Sequence, residues 1–294
     1  MKLFQLILCL CFFLQVRSQD WNINRKYSNL DWEVEGSSIL NKNRKNVLLI
    51  SEIGAYTISL AGLNELWYKK YPRSDFHFIN DNREWLQMDK AGHLLTSYYS
   101  GVIGIEVYKW AGFNTKKSIW YGGVTGSIFL TIIEVLDGTS EEWGASFGDL
   151  FANTAGSALA ITQAMLWDEQ KIKLKYSYLP TSWARKNPGQ LGDTHLERAL
   201  KDYNGQTYWL SYNLGSILDV DNKNFPKWLG VSFGYSAEAM IQPYTHKGDG
   251  SFRQYFLSFD VDLSQIKTKS RLVNSIFDTF GFLNVFKYIT FRTG

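Results

Sequence analysis

An α+β fold is expected, with an N-terminal bundle of about four small-residue-rich helices followed by an antiparallel aromatic-rich β region. Two features predict it. Between residues 47 and 167 lie four apolar segments of helical length, each without internal proline. Beyond Asp168 the pattern changes to alternating apolar and polar residues, with turn-forming residues between the runs.

The helical segments are Val47 to Tyr68, Leu86 to Trp110, Ser118 to Leu136 and Phe147 to Trp167. Lys69-Lys70-Tyr71-Pro72 stops the first, Gly112-Phe113-Asn114 separates the second from the third, and Gly138 ends the third. Ser146 with Asp149 three residues on has the arrangement of a capping box for the fourth. The predicted strands begin at Lys173, Thr207, Trp228 and Gln254. Asn222 to Pro226 and His246 to Gly250 read as turns, and Leu272 to Tyr288 reads as a late helix before a short basic tail. Trp209, Trp228 and Tyr235 are expected in a core between sheet and helices.

The first residues predict export. Lys2 precedes an almost unbroken apolar run from Leu3 to Val16, and Val16-Arg17-Ser18 offers a cleavage site before Gln19. An uncleaved anchor is the alternative, although the run is short for a membrane span. The expected organisation is a signal peptide over 1–18, an irregular arm over 19–46, a helical domain over 47–167 and a β-rich region over 168–294. The location implied is the periplasm, or the periplasmic side of the outer membrane, of a Gram-negative-type cell. Cys9 and Cys11, the chain's two cysteines, lie within the signal segment, so the mature chain would hold no disulfide or cysteine nucleophile.

Losing Lys2 and Arg17 with that segment lowers the formal charge from +3 to +1, which argues against nucleic-acid binding. Lys116-Lys117 and the cluster from Lys171 to Lys175 read as solvated helix ends. An aromatic content of 16 % favours places where a side chain is dry at one end and wet at the other, such as a membrane interface or a strand-rich surface. Charges at Glu52, Glu65, Lys90, Glu106 and Lys109 interrupt the first two apolar segments, whereas Leu150 to Trp167 comes nearest to spanning length without a charge. The stripe Gly101, Gly104, Gly122, Gly126, Ala152 and Gly156 suits close helix packing in a membrane bundle or a tight soluble one. A closed outer-membrane barrel needs at least about eight strands of about ten residues, more than the four found here.

Two polar clusters interrupt the apolar helices. Asp89 and His93 are four apart and share a helix face. Glu134, Asp137, Asp149 and Asn153 gather around the junction of the third and fourth helices, the last two one turn apart. Ionised groups on apolar helices cost several kcal/mol unless paired. A carboxylate with a histidine can serve as a general base, and three oxygen and nitrogen ligands could hold a divalent metal. The same residues equally form a structural network that fixes helix register. No Gly-x-Ser-x-Gly elbow, P-loop or His-Glu-x-x-His is present, and Gly122 to Gly126 lies inside a helix as a packing element. No cofactor is implied.

Asp89-Lys90-x-x-His93, then Glu134-x-x-Asp137-Gly138 and Gly148-Asp149-x-x-Ala152-Asn153-x-x-Gly156, resemble the YfiM family of periplasmic proteins, which has no established activity. The layout is more distantly similar to VanZ-like membrane proteins. The resemblance covers residues 46 to 167, and the strands beyond Asp168 look like an extension of Bacteroidota-type members. Some family members are lipoproteins, but Cys9 and Cys11 follow leucines in mid-run, so this signal reads as non-lipidated.

Three functions fit these features. The favoured one is a non-enzymatic envelope scaffold or partner subunit that docks at a membrane or another envelope protein. The others are a metal-assisted or acid/base hydrolase of a lipid or cell-wall component, and a module binding an amphiphile of unknown identity.

Overall fold

The computed structural model describes residues 42–66, 68–217, 225–244, 250–284 and 289–293. The expected signal peptide, most of the arm and most of the two expected turns near 222 and 246 lie outside these residues. The expected α+β architecture is present: helices come first and an antiparallel sheet follows. The described residues divide into a helical unit, within 42–80 and 96–169, and a sheet unit, within 81–95 and 170–293.

In the helical unit, α1 spans Lys42–Leu66. Helix α2, Met88–Trp110, gives its residues from 96 onward to this unit and its first two turns to the other. It ends at Gly112, whose φ of 89° closes a turn that a side chain would strain. Asn114 then caps a short helical turn through its bond from the Lys117 amide (2.8 Å). A π-helical turn, Ser118–Gly122, leads into α3, Thr125–Gly138. Helix α4, Phe147–Trp167, starts at Ser146, whose hydroxyl accepts the Asp149 amide at 3.2 Å, the expected cap. Two-residue strands β1, Phe78–Ile79, and β2, Ala145–Ser146, pair in parallel just before that cap.

Small residues set the helix spacing. A Cβ on Gly104 would lie 2.2 Å from the Gly122 carbonyl oxygen, and one on Gly126 would lie 2.5 Å from that of Ser97. The backbones therefore touch, and apolar clusters fill the flanks: Leu48, Val107 and Ala111 on one side, Ile105, Ile119, Ile161 and Ala164 on the other.

The outside of this unit is also apolar. Two of its helices are long and apolar enough to cross a membrane, Lys42–Glu65 and Thr115–Gly138, and only 17 % of the apolar window of the first is buried. Ile50 (71 % exposed), Ile53, Ile58, Phe147 and Phe151 (77 %) all face outward.

The sheet unit contains β3 (Ile172–Tyr178), a short helix α5 (His195–Lys201), β4 (Gln206–Asn213), β5 (Leu229–Glu238), β6 (Phe252–Val261), helix α6 (Arg271–Phe280) and β7 (Ile289–Thr293). The strands run antiparallel in the order β3-β4-β5-β6-β7. The late helix ends at Phe280, and part of the expected basic tail is instead a fifth strand on β6. The free edge of β3 is engaged as well: the Tyr176 amide donates to the Phe282 carbonyl (2.8 Å), and the Asn284 amide donates to the Tyr176 carbonyl (3.0 Å).

This sheet turns its polar face inward. Ser211, Ser232, Ser236, Ser258 and Asp260 are buried, while Phe233 (55 % exposed) and Phe259 (69 %) point out. Lys173 and Lys175 of the lysine cluster are not at a solvated helix end. Lys175 is fully buried and pairs with Asp260 at 2.7 Å, and Lys173 pairs with Asp262 at 2.7 Å. Both sit on a strand, where period two sends them to the inner face. Trp209 is buried and its indole donates to Ser177 (2.9 Å), but Trp228 is substantially exposed rather than core.

Candidate functional site

Within the sheet unit, the start of α2 is set by an unusual turn. Trp85, Leu86 and Gln87 have φ of 47°, 48° and 65°, three successive left-handed residues without a glycine. Each such residue costs on the order of 1–3 kcal/mol and persists only where surroundings over-determine it. Here the Trp85 amide donates to the Pro243 carbonyl (2.7 Å), Arg253 donates to the Gln87 side chain (2.8 Å), and the Tyr235 hydroxyl donates to the Leu86 carbonyl. Trp85, Leu86 and Met88 pack with Ala184, Leu191, Ala237 and Met240.

That turn fixes Asp89 and His93. One Asp89 oxygen accepts from the Tyr203 hydroxyl (2.7 Å); the other lies 3.6 Å from Lys90 Nζ and 3.8 Å from His93 Nε2. Lys90 also donates to Asp81. The His93 side chain is almost fully buried and that of Asp89 one-fifth exposed. Nearby, burial and then the Asp89 charge push the Tyr208 hydroxyl far above its ordinary range, so it stays protonated and donates to Gln206 (2.7 Å). Burial likewise raises the Glu84 carboxyl, against an opposing hydrogen bond from Tyr244. A carboxylate, an imidazole and a phenol in one cluster are suited to proton transfer or to a structural network.

Within the helical unit, Glu134, Asp149 and Asn153 are brought into one buried region. Glu134 Oε2 accepts the Ser146 amide (3.0 Å), and Ser146 in turn caps Asp149. The Ser97 hydroxyl donates to the Asn153 carbonyl and lies 3.0 Å from the Ser157 hydroxyl, which accepts the Ser127 amide (3.3 Å). Asp137 turns elsewhere and accepts from the Tyr68 hydroxyl (2.6 Å). Burial, then the Asp137 charge, lifts the Tyr68 hydroxyl far above its usual range. Tyr203, Tyr68, Ser97 and Ser157 escape sequence reasoning. Tyr203 stands 114 positions from Asp89, and the partners of the serines are backbone groups or another serine far along the chain.

Residues 76–165 match the family described as "Predicted periplasmic lipoprotein (DUF2279)". All six candidate residues fall inside the match, and β3 to β7 lie outside it. The description agrees with the expected export, and the protein is an exported, periplasmic envelope protein. No curated protein and no solved structure matches the chain.

Asp89→Ala removes the acceptor shared by Tyr203 and Lys90. It is expected to lower unfolding stability by about 1–3 kcal/mol, read by urea denaturation. Asp89→Asn keeps an oxygen for Tyr203 and should lose less. Equal midpoints for both variants and the wild type would rule out the structural role.

Proposed function

We propose that the protein is a non-enzymatic, membrane-associated scaffold or partner subunit of the cell envelope, whose helical unit docks at a bilayer or at another envelope protein there. The observation that supports this most is the apolar exterior of α1, where Ile50, Ile53 and Ile58 are each more than 60 % exposed. Such area is unfavourable in water and favourable in hydrocarbon by roughly 25 cal/mol per Å2. On this reading residues 47–167 form a YfiM-like helical domain, distantly VanZ-like. They follow a signal peptide (1–18) and an arm (19–46), and precede a Bacteroidota-type extension (168–294). The periplasmic side of the outer membrane is the proposed surface.

Fractionation of cells tests it. The full chain should sediment with membranes and resist a high-salt wash. Ile50→Asp with Ile53→Asp and Ile58→Asp should shift it at least about tenfold toward the soluble fraction, given the area removed from lipid. A wild-type chain found in the soluble periplasmic extract, or a triple variant that stays membrane-bound, would overturn docking through α1.

One observation favours the hydrolase as a second reading. Asp89 is shared between Tyr203 and His93 in a partly open cluster. His93→Ala and Asp149→Ala variants that fold normally yet abolish function in cells would move the assignment to that reading.

A further inference from the structure

The sheet unit carries an apolar surface of its own, built differently from that of the helical unit. Helix α6 exposes Leu272 (69 %), Ile276 (39 %) and Phe280 (44 %). Their spacing of four places them in one stripe along the helix. Asp278, the helix's one acidic residue, has a side chain only 14 % exposed. The segment before the helix is capped by side-chain hydrogen bonds. Ser270 accepts the Val273 amide (3.4 Å), and Asn274 both accepts the Thr268 amide (2.7 Å) and donates to the Thr268 carbonyl (3.0 Å). This lariat holds Lys267 and Lys269 exposed at the N-terminal end of the stripe.

A cation at a helix N-terminus opposes the helix dipole, so these lysines do not serve the helix itself. Lys267 reaches Asp278 only at 3.5 Å and remains two-thirds exposed. An apolar stripe with adjoining lysines matches the charge and polarity of an anionic lipid surface: acyl chains take the stripe and phosphates take the ammonium groups. The sheet adds to this. Its outward positions Leu210 and Tyr212 on β4, Val231 and Phe233 on β5, and Tyr255, Leu257 and Phe259 on β6 carry no charge, whereas its charged pairs face inward. A sheet in water ordinarily has the opposite partition, and a sheet facing lipid has this one.

We infer that α6, with Lys267 and Lys269, is an interfacial element that binds anionic phospholipid. It is distinct from the α1 surface, so either assignment can fail alone. The test is flotation of the full chain with vesicles of neutral phosphatidylcholine and with vesicles containing phosphatidylglycerol. Wild type should favour the anionic vesicles, and salt should erase the preference. Lys267→Gln with Lys269→Gln should lower anionic binding about twenty-five-fold, at roughly fivefold per lysine near such a surface. Leu272→Gln with Ile276→Gln should lower it by at least about tenfold. Circular dichroism should show all variants folded, because the altered side chains are exposed. Equal binding to both vesicles, unchanged by either double variant, overturns the inference while leaving docking through α1 intact. Anionic binding without any neutral binding supports it and removes docking of α1 at a bilayer. Concentration-dependent self-association lost in the α6 variants, with no vesicle preference, would assign the stripe to a second copy and also overturn it.

Discussion

Asp260→Ala is expected to lower the stability of the sheet by about 3–5 kcal/mol, because it leaves the Lys175 ammonium buried without its counter-ion. Lys175 is fully buried, 2.7 Å from Asp260, and donates also to the Val261 carbonyl (2.9 Å), while Ser211 donates to the same carboxylate. Burial lowers the Lys175 pKa below its usual 10.5 despite that carboxylate. Desolvation therefore outweighs attraction, and the protonated form of Lys175 opposes folding at neutral pH. This opposition is complete below the folded pKa and fades as pH rises through it toward 10.5. The more solvated pair behaves in reverse. Burial alone would raise the Asp262 carboxyl, but Lys173, with Ser264 and Lys175, holds it below 3.8, so its contribution is present above the unfolded pKa and lost as pH falls through the folded one. Two outcomes follow for urea denaturation at neutral pH. Asp260→Ala alone should be severely destabilised, and Lys175→Met with Asp260→Leu should recover most of the loss. A single variant no less stable than the double would mean that water reaches Lys175.

How much of this was legible follows from the range of each interaction. The Ser146 cap and the span of α4 were readable, since capping and apolar periodicity act within one or two turns. The alternation of β4, β5 and β6 was readable for the same reason, but not the face each residue meets. Lys173 and Lys175 point inward, and Phe233 and Phe259 take the exposed side. Period two gives alternation, and only tertiary closure decides which face is the inside. Strand β7 was missed because its partner, β6, lies more than thirty residues back. The left-handed turn at Trp85 to Gln87 has no glycine to announce it and is held by residues from Pro243, Tyr235 and Arg253. The candidate carboxylates were found because charge on an apolar helix is a local anomaly. Their partners were not: Tyr203 and Tyr68 are ordinary tyrosines until the chain has folded.

Gly104→Ala is the other change of large expected effect, and it tests why these helices carry so many small residues. Its new methyl group would meet the Gly122 carbonyl oxygen at 2.2 Å, the Thr125 hydroxyl at 2.6 Å and the Gly122 carbonyl carbon at 2.9 Å. Two of these neighbours are backbone, so no rotamer change relieves the contact and the π-turn at Ser118–Gly122 must move as a body. Overpacking of this kind costs at least about 1–3 kcal/mol, and the backbone contact places Gly104→Ala at or above the top of that range. Gly54 and Gly62 on α1 supply the control, since a Cβ on either meets nothing within 4 Å. Alanine there should instead stabilise by about 0.5–1 kcal/mol through helix propensity alone. The two classes of glycine therefore predict opposite signs in one denaturation series. If Gly104→Ala behaved like Gly54→Ala, the helices would not be in backbone contact, and the glycine stripe would need another explanation. If it unfolds the helical unit, that contact is what holds Glu134, Asp149 and Asn153 in a common buried region, and the polar network depends on it.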